Sequence, residues 1–426
     1  MRDITHPATR LVQAMARIYQ YRMTTTSGGN LSIRDDDGSI WITPARVDKG
    51  SLTVEDIVRV LPDGTTEGRH KPSSELPFHQ RIYQKRPDLK AVVHAHPVAL
   101  VAFSICGQVP DTRLFTKART VCGEVGFAPY AIPGSDLLGK RIAEVFAAGH
   151  DCVLLENHGV VVGGRDFADA FRRFETLEFV AKTVVKAHAL GEVRYLTEDQ
   201  LATGAQDGPQ ATEFDPGPAT STERALRREL CDFIRRGYHQ RLLTANAGSF
   251  SVRVDDHSFL ISTQLVDRAT IAPEQLALIR DGRVERGTLP SRAWFLHQLI
   301  YQHHPDIRAI VNATPVNATA FSASTARLDT RTIPESYVFL RDVAVFPFSW
   351  VYDSPEKISE AMTPDFPIAL IENDCALVIG KSILDAFDRL EVLESTAEAV
   401  ILSRSLGEVR PMGPEVIEEL IREFQL

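Results

Sequence analysis

The chain repeats itself once, and that repeat limits the possible folds more than any single motif does. Thr26-Ser27-Gly28-Gly29-Asn30-Leu31-Ser32-Ile33-Arg34 is echoed by Ala245-Asn246-Ala247-Gly248-Ser249-Phe250-Ser251-Val252-Arg253, an offset of 219 (249 − 30). Phe78-His79-Gln80-Arg81-Ile82-Tyr83 is echoed by Leu296-His297-Gln298-Leu299-Ile300-Tyr301, an offset of 218. Asp169-Ala170-Phe171 and Leu190-Gly191-Glu192-Val193-Arg194 recur as Asp385-Ala386-Phe387 and Leu406-Gly407-Glu408-Val409-Arg410, an offset of 216. The drift needs only a few deleted loop residues, and chance does not hold so many matches in one register. The chain therefore reads as two copies of one domain. The stretch 198–222 is rich in Gly, Pro and polar residues and is expected to be a linker between copies at 1–197 and 223–426.

Within the first copy, helices and strands mix along the whole length, which predicts an α/β sandwich. Thr9–Tyr21 has Leu11, Ala14, Met15 and Ile18 on one helical face. Leu31–Ile33 and Ile40–Thr43 read as strands around the turn Asp35-Asp36-Asp37-Gly38. Ser73–Tyr83 reads as a helix with Ser73 as its N-cap, and Phe167–Leu190 as a long core helix.

Composition excludes several partners. The net charge of −9 leaves no basic surplus to neutralise nucleic-acid phosphates. No apolar stretch approaches the roughly 20 residues of a membrane span. The five cysteines are scattered without a C-x-x-C, which fits reduced thiols in a cytoplasm. Met1–Gln20 lacks an apolar segment before a small-residue cleavage site, so a signal peptide is not expected.

The chemistry centres on Ala91-Val92-Val93-His94-Ala95-His96-Pro97. On a strand His94 and His96 share a face, and two imidazoles so spaced can grip one ion. Two satisfied histidines at a strand end would produce the same pattern. His158, in the turn Glu156-Asn157-His158-Gly159 between two apolar strands, is the third candidate ligand. Three imidazoles leave a coordination position open, as catalytic sites do. Glu75 near a helix start reads either as a dipole-stabilised carboxylate or as a general base. Ser73 and Ser74 read either as caps or, with the Ser27-Gly28-Gly29-Asn30 turn, as an anion site.

The second copy decides between these readings. By the offsets, His94 becomes Asn312, His96 becomes Thr314, His158 becomes Asp374, Glu75 becomes Ala293, Ser74 becomes Arg292 and Asn30 becomes Ser249. The scaffold residues His297, Tyr301, Pro305 and Asp306 stay. Core histidines would be needed in both copies, so His94 and His96 are read as ligands and His79, kept as His297, as structural.

Ser27-Gly28-Gly29-Asn30-Leu31-Ser32, Ile42-Thr43-Pro44, Lys71-Pro72-Ser73-Ser74-Glu75, the His94 strand and Glu156-Asn157-His158-Gly159 together resemble the class II aldolase/adducin family, near its L-fuculose-1-phosphate aldolase branch. The resemblance covers nearly all of 8–195. It implies two tandem α/β/α sandwiches, each with a central, mainly antiparallel sheet. It also implies zinc on His94, His96 and His158, Glu75 as acid/base, and an anion pocket from Ser27, Asn30, Thr43, Ser73 and Ser74. Family phosphate sites have a glycine shortly after the Thr-Pro; here Thr43-Pro44-Ala45-Arg46 offers Arg46, which can pair with a phosphate or a carboxylate.

The resulting expectation is a metal-dependent lyase of carbohydrate metabolism, cleaving or forming a C–C bond in a small hydroxy-ketone, sugar phosphate or keto-acid. The same fold also allows epimerase, dehydratase or decarboxylase chemistry. An adducin-like interaction module and a metal-bound small-molecule sensor are the readings without turnover. The resemblance further implies a homo-oligomer, a dimer whose four domains make a pseudo-fourfold ring, with a small-molecule substrate and neither nucleic acid nor membrane as partner.

Overall fold

The computed structural model of the chain describes residues 5–206 and 208–424. By contacts it forms two compact units. One holds the residues up to Thr112 together with Ala118–Lys182; the other holds Arg113–Lys117 and the residues from Thr183 on.

The first unit is built on eight strands: β1 (Asn30–Arg34), β2 (Ile40–Ile42), β3 (Val58–Val60), β4 (Thr66–Glu67), β5 (Ala91–Ala95), β6 (Val125–Ala128), β7 (Cys152–Leu155) and β8 (Gly159–Gly164). Their order is β4-β3-β2-β1-β5-β8-β7-β6, and every pairing is antiparallel except β6–β7. Side-chain alternation splits the sheet into two buried faces. Ile40, Ile42, Val92, Val153 and Val161 pack against Phe78 and Ile82 of helix Leu76–Lys85 and Leu138, Ile142 and Phe146 of helix Asp136–Ala147. Helix Pro7–Gln20 buries Leu11, Ala14, Met15 and Ile18, the face expected from its spacing.

The second unit repeats this plan with β9 (Glu213–Phe214), β10 (Ser249–Arg253), β11 (Ser258–Ser262), β12 (Leu276–Arg280), β13 (Arg283–Glu285), β14 (Ala309–Ala313), β15 (Ala344–Phe346), β16 (Ile368–Ile371) and β17 (Ala376–Gly380). The order β15-β16-β17-β14-β10-β11-β12-β13-β9 is that of the first sheet with one added edge strand. Its two faces carry separate cores. Phe259, Ile261, Ile310 and Leu377 pack with helix Trp294–His303; Phe250, Leu260, Val311 and Val378 pack with helix Ile383–Ser403. The registers agree residue for residue: Asn30 pairs with His94 as Ser249 pairs with Asn312. The chain thus has two tandem α/β domains, each with a mainly antiparallel sheet.

Two local expectations change. The helix expected from Ser73 begins at Leu76, with Glu75 rather than Ser73 at the N-cap position and no side-chain cap. Ser73 stays in the loop because its N–H donates to Thr43 O and its own carbonyl accepts from Leu76 N. Pro77 then sits in the first turn, where its missing N–H costs nothing. The stretch 198–222 also carries structure. Thr197 and Gln200 form a capping box for helix Glu198–Ala205, Leu201 is buried with Leu196 and Phe348, and β9 pairs in parallel with β13. Asp207 of that stretch lies outside the described residues. Among the described residues, no helix is long and apolar enough to cross a membrane.

Candidate active site

β5 and β1 direct Asn30 and His94 to the sheet face that helix Leu76–Lys85 covers, and Glu75 precedes that helix. Two elements thus bring a carboxylate onto a histidine without any long loop. The His94 ring is fully buried, and its Nδ1 donates to Val160 O at 2.9 Å, which turns Nε2 toward Glu75. His94 Nε2 lies 3.2 Å from Glu75 Oε2 and 3.2 Å from His96 Nε2. His158 Nε2 lies 3.7 Å from Glu75 Oε1, held by a turn in which Asn157 adopts φ 53°. Asn tolerates that left-handed conformation better than most residues do.

The His96 ring is held by close backbone approach on two sides. A Cβ on Gly28 would lie 2.9 Å from His96 Nδ1, and one on Gly159 would lie 2.6 Å from His96 Cδ2 and 2.7 Å from Ala95 O. Both positions require glycine for the ring to sit where it does.

The donor set fits a divalent ion. Ligand atoms of His94, His96 and His158 all lie within 4.8 Å of one another, a grouping found once among the described residues. Burial, with repulsion from His94, lowers His96 to about 3 and His158 to about 4, so both rings are neutral and have a lone pair to give. His96 Nε2 lies 3.2 Å from His94 Nε2, close enough for both nitrogens to face one ion. Burial pushes the Glu75 pKa up, but the facing His94, its hydrogen bond and a second from Asn30 hold the carboxyl well below the usual range. Burial lowers the His94 pKa, and the Glu75 charge more than offsets it.

Asn30 and Thr43 are committed inside the protein. Asn30 Nδ2 donates to Glu75 Oε2 at 2.7 Å, and its Oδ1 accepts from His79 Nε2 at 2.5 Å. Thr43 is fully buried, and its hydroxyl accepts from Leu31 N at 3.1 Å. Ser73 is buried with its hydroxyl accepting from Glu75 N, while Ser27, Ser74 and Arg46 are exposed. Arg46 holds φ 57°, where a glycine would be at ease. Backbone bonds from Ser73 to Thr43, Ala45 to Lys71 and Lys49 to Thr26 knit the three loops together.

Two features at this site carried no signal in the sequence. Glu156 Oε2 accepts from Tyr130 N at 2.7 Å, which ties the exposed Tyr130 to the turn that carries His158. A Cβ on Gly134 of that loop would lie 3.3 Å from Ser74 O. Ala128-Pro129-Tyr130-Ala131-Ile132-Pro133-Gly134 reads as an ordinary turn, and only its placement marks it.

The second unit keeps the frame and lacks the donors. Ser32–His79–Tyr83 is matched by Ser251–His297–Tyr301 with the same bonds, 2.7 Å and 2.7 Å against 2.7 Å and 2.8 Å. His297 Nε2 donates to Asn312 Oδ1 at 2.5 Å, so the residue at the His94 position has taken over the role of Asn30. Ser249, at the Asn30 position, bonds Ser291 instead. Cys375 stands at the Gly159 position and Thr314 at the His96 position.

The family model described as Class II Aldolase and Adducin N-terminal domain matches residues 9–185 and 228–401. The 3-oxo-tetronate 4-phosphate decarboxylase of Pectobacterium atrosepticum is 37% identical over 199 residues, covering 45% of this chain and 89% of that protein. The L-fuculose phosphate aldolase of Methanococcus maripaludis (strain DSM 14266) is 35% identical over 176 residues, covering 41% of this chain and 93% of that protein. The crystal structure of YgbL from Escherichia coli is 30% identical, covers 47% of this chain and 97% of that chain, and has a TM-score of 0.43. The chain belongs to the class II aldolase and adducin family, whose domain it carries twice in tandem.

Proposed function

We propose that the first copy, residues 1–197, is a zinc-dependent carbon–carbon lyase for a small phosphorylated hydroxy-ketone or keto-acid, and that residues 223–426 form a counterpart without that chemistry. The observation that carries this reading is the buried Glu75 carboxyl group, 3.2 Å from His94 in the three-histidine cluster. Zinc suits three neutral imidazoles, and when bound it supplies Lewis-acid polarisation of the substrate carbonyl.

Glu75 does the proton work. In aldol cleavage it takes the proton of the hydroxyl on the carbon that becomes the new carbonyl. The electron pair of the broken C–C bond stays on the carbon next to the original carbonyl, and Glu75 returns the proton there. In decarboxylation CO₂ leaves, and the same carbon takes the proton. Asn30 and His94 keep Glu75 anionic at the start of the cycle. Exposed Ser27, Ser74 and Arg46 bind the far end of the substrate.

The name of the 37% identical relative favours decarboxylation as the second reading. Incubation with phosphorylated four- to six-carbon keto-acids and ketoses separates the two. An aldehyde with a keto fragment marks aldol cleavage, and CO₂ marks decarboxylation. Glu75→Gln should abolish either turnover while leaving the metal bound; unchanged turnover would remove Glu75 from the mechanism.

A further inference from the structure

Leu190-Gly191-Glu192-Val193-Arg194 and Leu406-Gly407-Glu408-Val409-Arg410 share one sequence and have opposite surroundings. Inside the second unit, the first segment is seated between the end of helix Val316–Ser322 and the turn from β16 to β17. Val193 pairs with Ser324 in an antiparallel bridge, Arg194 N donates to Ala323 O at 2.8 Å, and Thr325 N donates to Glu192 O at 3.2 Å. The Arg194 guanidinium pairs with Glu372 at 2.6 Å, and Asn373 Nδ2 donates to Arg194 O at 2.9 Å. Leu190 is 4% exposed in the core of that unit. Helix Glu198–Ala205 follows and lays Leu201 on Phe348.

The repeat keeps the segment and leaves it open. Leu406 is 89% exposed, and Leu402 and Arg410 are exposed as well. The backbone then leaves in the same way, since Met412 N donates to Arg331 O as Leu196 N donates to Arg113 O. Helix Pro414–Phe424 follows with Val416, Ile421 and Phe424 exposed.

The matching seat is open on the first unit. Asn157 N donates to Ser104 O as Asn373 N donates to Ser322 O, which makes Ile105 the counterpart of Ala323 and Glu156-Asn157 that of Glu372-Asn373. Likewise Glu156 N donates to Ala128 O as Glu372 N donates to Phe346 O, so Tyr130 answers to Phe348. Ala323 is 0% exposed and Phe348 3%, whereas Ile105 is 64% exposed and Tyr130 50%. Asn157 is exposed too.

An open segment and an open seat on one chain, each exposed there, call for another chain. Glu156 offers Arg410 the charge that Glu372 offers Arg194. Glu415, Glu418, Glu419 and Glu423 against Arg422 disfavour pairing of two Pro414–Phe424 helices with each other.

We propose that residues 406–424 dock on Ile105, Tyr130 and the Glu156-Asn157 turn of a second copy of this chain, with Arg410 paired to Glu156. Each chain has one segment to give and one seat to fill, so a mutual exchange closes a dimer. It also brings a guanidinium from the second chain to the turn that carries His158. The interface does not depend on which reaction the first copy runs.

The test is the mass of the full-length protein by light scattering over a dilution series, for wild type, Leu406→Asp, Ile105→Asp and an equal mixture of the two variants. Both side chains are exposed in the single chain, so the fold should hold and circular dichroism should match wild type. Wild type should be a dimer at micromolar concentration. A carboxylate in either half of the contact should weaken association by about 10- to 100-fold. The mixture should associate more tightly than either variant alone, because one of the two exchanged contacts is then intact. A monomeric wild type overturns the proposal. So does a dimer that Ile105→Asp leaves unchanged, which would put the contact on another face, and so does a mixture no tighter than its components. A dimer that follows these rules but turns over none of the phosphorylated keto-acids and ketoses would sink the lyase reading and leave the interface standing.

Discussion

The side-chain amide of Asn30 spans two buried groups, with Nδ2 2.7 Å from Glu75 Oε2 and Oδ1 2.5 Å from His79 Nε2. One residue thus couples the orientation of the proposed base to a histidine of the scaffold. The direction of each bond follows from this. His79, which burial holds to about 3, is neutral and donates from Nε2 while Nδ1 accepts from the Ser32 hydroxyl. Only the amide nitrogen of Asn30 is left for the carboxylate.

Asn30→Ala should lower turnover by about 10- to 100-fold, because a hydrogen bond to a charged group is worth roughly 1.5–3 kcal/mol. The lost bond stabilised the ionised form of Glu75, so the acid limb of the pH–rate profile should move to higher pH. Metal content should hold. A profile that does not move would mean Asn30 acts on something other than Glu75.

Purified wild type should carry about one divalent ion per chain and His96→Ala none, with turnover abolished by chelation and restored by zinc. Elemental analysis of the two proteins side by side reads this directly. Two ions per chain would place a second site in the other copy, against the loss of all three histidines there.

Gly159→Ala should weaken metal binding without unfolding the first unit. The added Cβ would meet His96 Cδ2 at 2.6 Å and Ala95 O at 2.7 Å, so the ring must leave its position. Competition with a chromophoric chelator should show at least about tenfold lower affinity, the scale seen when groups supporting a ligand are lost. Wild-type affinity would show that the ring has another seat.

Stability should fall on acidification through a group of the second copy, His297. Burial lowers the His297 pKa to about 4 from an ordinary 6.5. Between those values the unfolded chain binds the proton and the folded chain does not, so stability is highest above pH 6.5 and drops as pH falls. The slope is about 1.4 kcal/mol per pH unit, or about 3 kcal/mol in total. Denaturant unfolding of wild type and His297→Gln between pH 7 and pH 4.5 should show a slope smaller by one proton in the variant. Equal slopes would mean His297 is protonated in the fold.

Much of this was legible in the sequence, and the reasons differ by residue. Period-two alternation puts His94 and His96 on one face whatever the strand order, and the internal repeat separates the histidines missing from the second copy from those kept in both. Thr43 and Asn30 could not be sorted the same way, because a buried hydroxyl or amide and one facing substrate look alike along the chain. The burial of Lys49, which is 3% exposed, was hidden for a related reason: a lysine between Asp48 and Gly50 has every local mark of a solvated turn, and its cover comes from loops distant in sequence. The start of helix Leu76–Lys85 was misplaced because Ser73 is a good cap. Its backbone was already engaged by Thr43, a tertiary bond that propensity does not see.

The swapped amide also bears on how one copy could shed its chemistry. The imidazole N–H of His79 or His297 is buried in both copies and must always have an acceptor; orphaning it costs about 1–3 kcal/mol. In one copy the acceptor is on β1 (Asn30), and in the other it is on β14 (Asn312). An ancestor that discarded the β1 asparagine first would have passed through a strained intermediate. Gaining the new asparagine first would have removed one histidine of the cluster while the His297 bond was kept. The cheaper history is therefore one in which the histidine of β14 was replaced before the asparagine of β10 was lost. It is also hard to reverse, since restoring histidine at 312 today would strand His297.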